Sequence, residues 1–508
     1  MIAILDFGSQ YTQLIARRLR ELEIYAEIFP FSTPPSRILE RKPRGLILSG
    51  GPSSVGRRGA PGLNPRWLEA GVPVLGICYG MQLLAHLHGG KVVAAKRREY
   101  GHAQLTALEP TPLFEGLPSE LQVWMSHGDG AENLGNGWRV LGKTSSAPLA
   151  AIADAKRNLY GVQFHPEVAH TPQGARLLEN FARRICGIEE RWTMSSFLDR
   201  SVLNLRQKLR GAKVLCALSG GVDSSVTAAL LHRAVPDGLF CTYVDTGLGR
   251  QGDLEYMRNL FQGTLRVRLK TVDAAPLFLK RLRGVADPER KRKVIGKTFI
   301  EVFEREAGRL KGVSHLAQGT LYPDVIESVN VHGPSAAIKS HHNVGGLPKR
   351  MRLKLVEPLR ALFKDEVRRL GRELGLPDEL LERHPFPGPG LAVRILGPVT
   401  RERLDLARRA DAIVTEEFSR AGWYRKVWQA FAVLLPVRSV GVMGDQRTHD
   451  HVVAVRAVHS TDGMTADWVR LPEALLSKIS SRIVSEVKGV NRVAYDVTSK
   501  PPATIEWE

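Results

Sequence analysis

At 508 residues the chain is longer than one hydrophobic core usually supports, and its length predicts about three domains. Hydrophobic residues make up 43% and charged residues 24%, which excludes a disordered chain, and no apolar run is long enough to predict a membrane-spanning helix. Lys and Arg number 72 against 52 Asp and Glu, a net charge of +20 that suits either a nucleic-acid binder or an enzyme of anionic small molecules.

Residues 1–188 alternate short apolar strands with helical patterns, which is typical of a mostly parallel sheet covered by helices. The N-terminus, MIAILDFGSQ, has no basic region ahead of its apolar stretch, so we interpret it as a first core strand and not as a signal peptide. The predicted elements are strands at 2–5, 45–48 and 72–77, helices at 12–23 and 81–88, a late strand over LYGVQFHPE (159–167), and a closing helix at 174–185.

Charged residues at 189–191 mark a predicted boundary, beyond which a helix at 194–209 leads into a second α/β domain. This domain, residues 189–384, is predicted to contain the strands 213–218 and 239–244. It ends where RHPFPGPG (383–390) breaks regular structure. A helix at 400–419 and strands at 452–458 and 493–497 predict a smaller α+β domain, residues 385–508. The predicted fold is therefore two doubly wound α/β domains followed by a small α+β domain.

The four cysteines, at positions 78, 186, 216 and 241, form no C-x-x-C pair. Their spacing favours neither a zinc site nor a disulfide framework, and a reducing, cytoplasmic setting is expected.

A possible nucleophile stands in Gly76-Ile77-Cys78-Tyr79-Gly80, the G-x-S-x-G elbow pattern with cysteine in place of serine. Such an elbow exposes its side chain at a helix N-terminus, which favours the thiolate, although a single cysteine of this kind could equally be a core residue. His165 and Glu167 follow at i and i+2, and in an extended strand they would point to one face. The three residues together predict acyl transfer through a thioester.

The motifs GICYGMQ, SGGP, SHGD and QFHPE resemble those of the class I glutamine amidotransferase family, over nearly all of residues 1–188. The resemblance implies Cys78 as nucleophile, His165 as base and Glu167 as the residue that orients it, in a reaction that hydrolyses glutamine to glutamate and ammonia. Amides of the turn at Gly51 and of Tyr79 are expected to bind an oxyanion. Gln82, Ser126 and His127 are expected near the glutamine.

A second site is predicted where strand 213–218 runs into SGGVDSS. A glycine-rich turn that opens a helix is typical of a phosphate site, yet the lysine of a P-loop is missing. An aspartate beside phosphate suggests an intervening Mg²⁺. The segment resembles the pyrophosphate loop of the N-type ATP pyrophosphatases, which cleave ATP between the α- and β-phosphates. The residues assigned to ATP and pyrophosphate are Ser219, Gly220, Gly221, Val222, Asp223, Ser224, Ser225, Val244 and Lys364.

Cleavage of ATP between the α- and β-phosphates would transfer AMP to an oxygen of a second substrate. The identity of that substrate is suggested by resemblance alone. KRKVIGKTFIEVFE, LAQGTLYPDVIES, KSHHNVGGLP, RHPFPGPGLAVRILG and VTSKPPATIEWE are similar to segments of the glutamine-hydrolysing GMP synthase family, from residue 291 to the end of the chain. This implies the substrates xanthosine 5′-monophosphate (XMP), ATP and glutamine, and a homodimer formed through the C-terminal domain. It also implies Arg292, Lys500 and Glu506 at XMP. Asp223 and Asp324 are candidate Mg²⁺ ligands, and Lys339 is a further candidate for the phosphates.

One departure from that family lies at 247–250, where Gly-Leu-Gly-Arg replaces the usual Gly-Leu-Leu-Arg and is expected to loosen a lid.

Two alternatives remain open at this point. One is an amidotransferase that aminates another nucleotide, and the other is an RNA-binding protein that modifies tRNA. The second alternative gives no function to the triad of Cys78, His165 and Glu167. The basic runs are also short and lack the interleaved aromatic residues that are typical of nucleic-acid binding. We therefore expect neither a nucleic-acid nor a membrane partner.

Overall fold

The structure is a computed structural model that describes residues 1–107, 109–329, 353–443, 445–460, 463 and 465–508. The chain divides into two compact units. The first comprises Met1–Phe197 together with the segment that starts at Pro323, and the second comprises Leu198–Tyr322 together with the chain from residue 353 onward. The second unit therefore spans both the second and the third predicted domains.

The first unit is built on a sheet whose strands run in the order β2-β1-β3-β4-β9-β8-β7-β5-β6. Pairing from β2 to β9 is parallel and pairing from β9 to β6 is antiparallel. Its strands are β1 (Ile2–Asp6), β2 (Ala26–Pro30), β3 (Gly45–Leu48), β4 (Val74–Ile77), β5 (Lys91–Ala107), β6 (Glu120–Asn133), β7 (Arg139–Lys143), β8 (Ala151–Asp154) and β9 (Leu159–Val162). Its helices are α1 (Thr12–Glu21), α2 (Pro35–Leu39), α3 (Arg66–Glu69), α4 (Tyr79–Leu87) and α5 (Gly174–Asn180), the last extended by a π-helical turn at Phe181–Ile185.

The second unit begins with a parallel sheet in the order β12-β11-β10-β13-β14. The strands are β10 (Lys213–Leu218), β11 (Leu239–Asp245), β12 (Leu269–Asp273), β13 (Val313–Ala317) and β14 (Lys354–Val356). The helices in this part of the chain are α6 (Met194–Lys208), α7 (Val222–Ala234), α8 (Asp253–Arg258), α9 (Ala275–Leu282), α10 (Pro288–Arg309), α11 (Tyr322–Val329), α12 (Lys364–Glu373) and α13 (Asp378–Leu381).

The C-terminal part adds a mixed sheet in which β15 and β17 pair antiparallel with β16, and β18 pairs parallel with it. The strands are β15 (Gln429–Met443), β16 (Gln446–His459), β17 (Asp467–Trp468) and β18 (Val490–Tyr495), and the helices are α14 (Arg401–Arg420) and α15 (Glu473–Glu486). A continuous hydrophobic core joins α14, α15 and this sheet to Val244 near the end of β11 and to Leu248 in the loop beyond it.

The mixed α/β architecture with a smaller C-terminal sheet confirms the predicted fold class. Helix α1 ends at Glu21, because the chain turns at Glu23 with a φ of 59°. The late strand is shorter than expected and ends at Val162. All four cysteines are buried and free. In the residues that the structure describes, no helix is both long and apolar enough to cross a bilayer.

Candidate active sites

The first site is formed where β4 turns sharply into α4 at Cys78. Cys78 has a φ of 53° and a ψ of −105°, a conformation that is costly for a residue with a side chain and is retained mainly at functional sites. A Cβ added to Gly76 would lie 2.5 Å from the backbone of Gly80, and one added to Gly80 would lie 2.4 Å from the carbonyl oxygen of Leu48. Because only glycine allows these approaches, both glycines of the motif are needed for the turn.

His165 and Glu167 meet Cys78 from the turn that follows β9. Nδ1 of His165 lies 2.7 Å from Oε1 of Glu167, and Cys78 is among the groups that raise the pKa of the imidazole. The prediction that the pair projects from an extended strand is wrong, since both residues lie beyond Val162 in a turn that contains Pro166. The turn nevertheless brings the three side chains together, and all three are buried.

The electrostatics of the triad favour a charged imidazole. Burial on its own lowers the pKa of His165, but the charge of Glu167, together with hydrogen bonds to Cys78 and Glu167, raises it more. The pKa of His165 therefore lies well above its ordinary value of 6.5. An imidazolium is consequently stabilised next to the thiol, as an ion pair of Cys78 and His165 would require.

The turn at Ser49–Pro52 lies against this triad. A Cβ on Gly50 would come within 3.3 Å of Cε1 of His165, and one on Gly51 within 2.8 Å of the carbonyl oxygen of Phe7. Tyr79 is the first residue of α4, and the first amides of a helix have no acceptor within the helix. A Cβ on Gly51 would also lie 3.4 Å from the ring of Tyr79, so the two residues are neighbours, and binding of an oxyanion by their amides stays a prediction.

Of the remaining predicted glutamine-site residues, Ser126 and Gln82 contact Cys78, whereas His127 and Gln82 share a contact with Asp129. The carbonyl oxygen of Ser126 is 3.8 Å from Sγ of Cys78. Gln82 donates to the carbonyl oxygen of Asp129 at 2.7 Å, and His127 is held between that same carbonyl and Glu99. These contacts make Gln82 and His127 buried supports of the site.

Gln163 is a residue of the site that our sequence analysis missed. Its Nε2 lies 3.6 Å from Sγ of Cys78, and its Oε1 accepts from Gln82 at 3.2 Å. Gln163 begins the QFHPE motif, two residues before His165, and this position in the motif could have indicated that it belongs to the site.

The second site lies in the second unit, at the carboxyl end of β10. Gly220 has a φ of 80°, and Gly221 caps the N-terminus of α7. Hydroxyls hold the loop closed: Ser224 Oγ accepts from the amide of Ser219 at 3.2 Å, and Ser225 Oγ donates to the carbonyl oxygen of Gly221 at 2.9 Å. The loop therefore presents backbone amides at a helix N-terminus, which is the geometry of an anion site.

Charged residues surround the loop. Nζ of Lys364, at the start of α12, lies 2.6 Å from Oδ1 of Asp223. Arg383 donates to the carbonyl oxygen of Gly220 at 3.4 Å and to Asp253 at 2.8 Å, and it is a second cation at the loop that the sequence analysis did not assign. Lys364 and Asp223 keep solvent access, so both can still meet a ligand.

Val244, which the sequence places near ATP, is buried in the hydrophobic core, so its backbone is the part left to contact a nucleotide. The loop at 247–250 that differs from the family is tied down. Arg408 donates to the carbonyl oxygens of Gly247 and Gly249, and Leu391 donates to that of Leu248. The loop is therefore held by hydrogen bonds even though it contains the additional glycine, Gly249.

For the predicted Mg²⁺, the described residues contain no cluster of three or more His, Cys, Asp or Glu side chains that could hold a metal. Mg²⁺ is commonly bound by one or two carboxylates plus substrate phosphates, so the partly exposed carboxylate of Asp223 beside the loop fits that role. Asp324 lies in the first turn of α11 and belongs to the first unit, whereas Asp223 belongs to the second. Lys339 lies outside the described residues.

The predicted XMP residues are all in the second unit. Arg292, on α10, donates to the backbone oxygen of Glu508, and Lys500 donates to the carbonyl oxygen of Gly463 at 2.8 Å. Glu506 is paired with Arg394, whose Nε and Nη2 lie 3.1 Å and 2.9 Å from its two oxygens. The C-terminal arm, here defined as residues 497–508, is therefore anchored by two buried cations, Arg394 at Glu506 and Lys291 at Glu508.

Comparison with known proteins gives matches over the whole chain. The family model for class-I glutamine amidotransferase matches residues 3–185, and the model for the GMP synthase C-terminal domain matches residues 416–507. A model for the tRNA methyl transferase HUP domain matches residues 212–245, which cover β10, α7 and β11.

Curated relatives named GMP synthase (glutamine-hydrolyzing) align with this chain over its full length. Those of Elusimicrobium minutum, Solidesulfovibrio magneticus and Carboxydothermus hydrogenoformans are 59%, 58% and 56% identical to this chain. Each alignment covers 100% of this chain and 99% of the relative.

Proposed function

This chain belongs to the family of glutamine-hydrolysing GMP synthases, and we propose how its residues divide that reaction between two sites. The enzyme uses glutamine as the nitrogen donor and ATP as the activating substrate to convert XMP into GMP. The observation that carries this function is the end-to-end match to relatives of that name at up to 59% identity. The alternative of a different acceptor loses its support, because the C-terminal domain itself matches that of GMP synthases.

The first site hydrolyses glutamine. The thiolate of Cys78 attacks the amide carbon, the C–N bond breaks, and the departing ammonia takes a proton from His165. The negative charge on the carbonyl oxygen is stabilised by the amides of Gly51 and Tyr79. Water, deprotonated by His165, then cleaves the thioester to glutamate. Glu167 holds the imidazole in its orientation and favours its protonated form, which the raised pKa of His165 supports.

The second site activates XMP. The oxygen at the carbon to be aminated attacks the α-phosphate of ATP, and pyrophosphate leaves into the loop of residues 219–225. Ammonia then adds to that carbon and AMP departs. Lys364 and Arg383 stand where they can neutralise the pyrophosphate. When bound by Asp223, Mg²⁺ would supply further neutralisation of the phosphate charge.

XMP binds in the C-terminal part of the second unit in this proposal. Arg292 and Lys500 provide cations for its phosphate, and Glu506 provides a carboxylate for a purine N–H. We also propose a homodimer that forms through the C-terminal sheet, and a cytoplasmic location that suits four free thiols.

The experiment is an assay of GMP and AMP after the purified chain is supplied with XMP, ATP-Mg²⁺ and glutamine. Cys78→Ala should lose glutamine-dependent synthesis and keep synthesis with high ammonium, because free ammonia bypasses the thioester. Cys241→Ala removes another buried cysteine, on β11, and serves as the control, with both activities retained. Loss of both activities in a folded Cys78→Ala protein would contradict the two-site proposal.

A further inference from the structure

Helix α1 touches the triad at two points. The ring of Tyr11, which caps α1, meets the ring of His165 edge-on with centroids 5.1 Å apart. Nε of Arg18 donates to the backbone carbonyl oxygen of Glu167 at 3.2 Å. The turn that carries the base and its carboxylate is therefore supported by α1 from outside the triad.

Support of this kind matters because the carboxylate is held on one side only. Oε1 of Glu167 is bound to His165, whereas Oε2 is buried and has no hydrogen-bond partner among the described residues. The position of the carboxylate thus depends on the backbone of its turn, and Arg18 is bonded to that backbone.

The same helix is fastened to the connector, here defined as residues 186–193, which leads from the first unit towards the second. Arg20 is 2% exposed, and its guanidinium donates twice to the carbonyl oxygen of Ala26, at 3.1 Å and 2.8 Å. The guanidinium carbon lies 4.3 Å from the ring centroid of Tyr25 and 4.8 Å from that of Trp192. Trp192 is buried, and its ring lies 4.5 Å from that of Tyr25 at an interplanar angle of 39°.

The connector is held at further points along its length. The amide of Trp192 donates to the carbonyl oxygen of Glu23 at 2.8 Å. Arg183 donates to the carbonyl oxygens of Ile188 and Glu190 and to those of Leu22 and Glu23, just beyond α1. The connector therefore lies along the C-terminal end of α1 as an ordered segment.

We propose that Trp192 and Arg20 are positioning residues of the glutaminase: the connector fixes α1, and α1 fixes the turn of His165 and Glu167 relative to Cys78. A planar guanidinium over two aromatic rings has one preferred arrangement, so the stack sets the position of α1 more narrowly than apolar contact would. The proposal rests on the glutaminase roles proposed above for Cys78, His165 and Glu167.

The test uses the full chain with Trp192→Leu, which keeps an apolar side chain but removes the ring, and Arg20→Lys, which keeps the charge but removes the planar stack. Glutamate release is measured with all substrates present. We expect the kcat for glutamine to fall about tenfold or more, as a small misplacement of catalytic groups does, with the KM for glutamine unchanged. Ammonia-dependent GMP formation should be unchanged. Trp192→Phe should restore most of the kcat because it restores an aromatic face.

Arg17→Ala is the matched control, since Arg17 lies on the same helix but pairs with Glu21 at the surface. An unchanged kcat in a folded Trp192→Leu protein overturns the proposal. So does a rise in KM alone, or a parallel fall in ammonia-dependent synthesis, which would indicate general destabilisation. Cys78→Ala distinguishes a failure of the proposed glutaminase site from a failure of the positioning role. If this variant still hydrolyses glutamine, the glutaminase site itself is wrong, whatever the result at Trp192.

Discussion

Replacing Glu167 with Gln tests the electrostatic part of the triad with little change of shape. The carboxylate and the imidazole of His165 are 2.7 Å apart, and neither side chain is more than 4% exposed. Glutamine can still accept from Nδ1 of His165 through its carbonyl oxygen, so the hydrogen bond can survive and only the charge is lost.

The size of the effect follows from that difference. A hydrogen bond to a charged group contributes about 1.5–3 kcal/mol and one between neutral groups about 0.5–1.5 kcal/mol, so the imidazolium loses about 1–2 kcal/mol of stabilisation. If this loss is fully expressed in the transition state, Glu167→Gln hydrolyses glutamine about five- to thirtyfold more slowly.

The pH dependence has a definite sign. Burial lowers the pKa of His165, whereas the charge of Glu167 raises it, so the pKa falls when that charge is removed. Because departing ammonia takes its proton from His165, the high-pH limb of the glutaminase profile should move to lower pH in the variant. The raised pKa also stabilises the fold below about pH 6.5, and this stabilisation is lost as the pH rises through the folded-state value.

The assay is glutamate release against pH for the wild type and Glu167→Gln, with ammonia-dependent GMP formation as an internal reference. Glu69→Gln, which removes an exposed carboxylate on α3, is the control. A variant with the wild-type rate and an unshifted high-pH limb would show that the charge of Glu167 has no part in catalysis.

Three further predictions concern the second unit. Asp223→Ala should lose GMP formation with glutamine and with ammonia alike, because no leaving group is made, and near-normal ammonia-driven synthesis would contradict the loop assignment. Lys500→Ala should raise the XMP requirement about ten- to a hundredfold, the loss of one charge-assisted contact, while glutaminase activity remains; an unchanged XMP dependence would make the arm a structural tail. Light scattering should give twice the chain mass of 56.2 kDa, and a monomer at micromolar concentration would exclude the dimer.

The glutaminase site could be predicted from sequence because its geometry is encoded locally. Gly76 and Gly80 flank Cys78, and each is required by an approach to neighbouring backbone that a Cβ would prevent. The path of the chain at His165 was harder to predict, since LYGVQFHPE is equally compatible with a long strand. The strand ends at Val162, and Pro166, which has no N–H for a ladder, lies in the turn beyond it. The spacing of His165 and Glu167 survives this change, because a tight turn can also place i and i+2 side by side.

The supporting cations could not be predicted, because an isolated arginine in a sequence is expected at the surface. Arg456 is fully buried, and its guanidinium donates to the carbonyl oxygens of Thr498, Thr504 and Ile505 at 2.8–2.9 Å. These bonds that hold the C-terminal arm come from β16, more than forty residues earlier in the chain.

Partners that are distant in sequence also determine whether Glu506 can accept a hydrogen bond from a purine. An ionised carboxylate offers about four lone-pair sites. Arg394 occupies one on each oxygen of Glu506, and Gln429 donates to Oε1 at 2.7 Å, so Oε1 is fully used. Oε2 keeps one site. Because Arg394 is completely buried and also bound to Asp411, it holds Glu506 in one orientation. The proposed contact with XMP therefore reduces to a single N–H donor directed at Oε2, and Glu506 can accept it without giving up the bonds that anchor the arm.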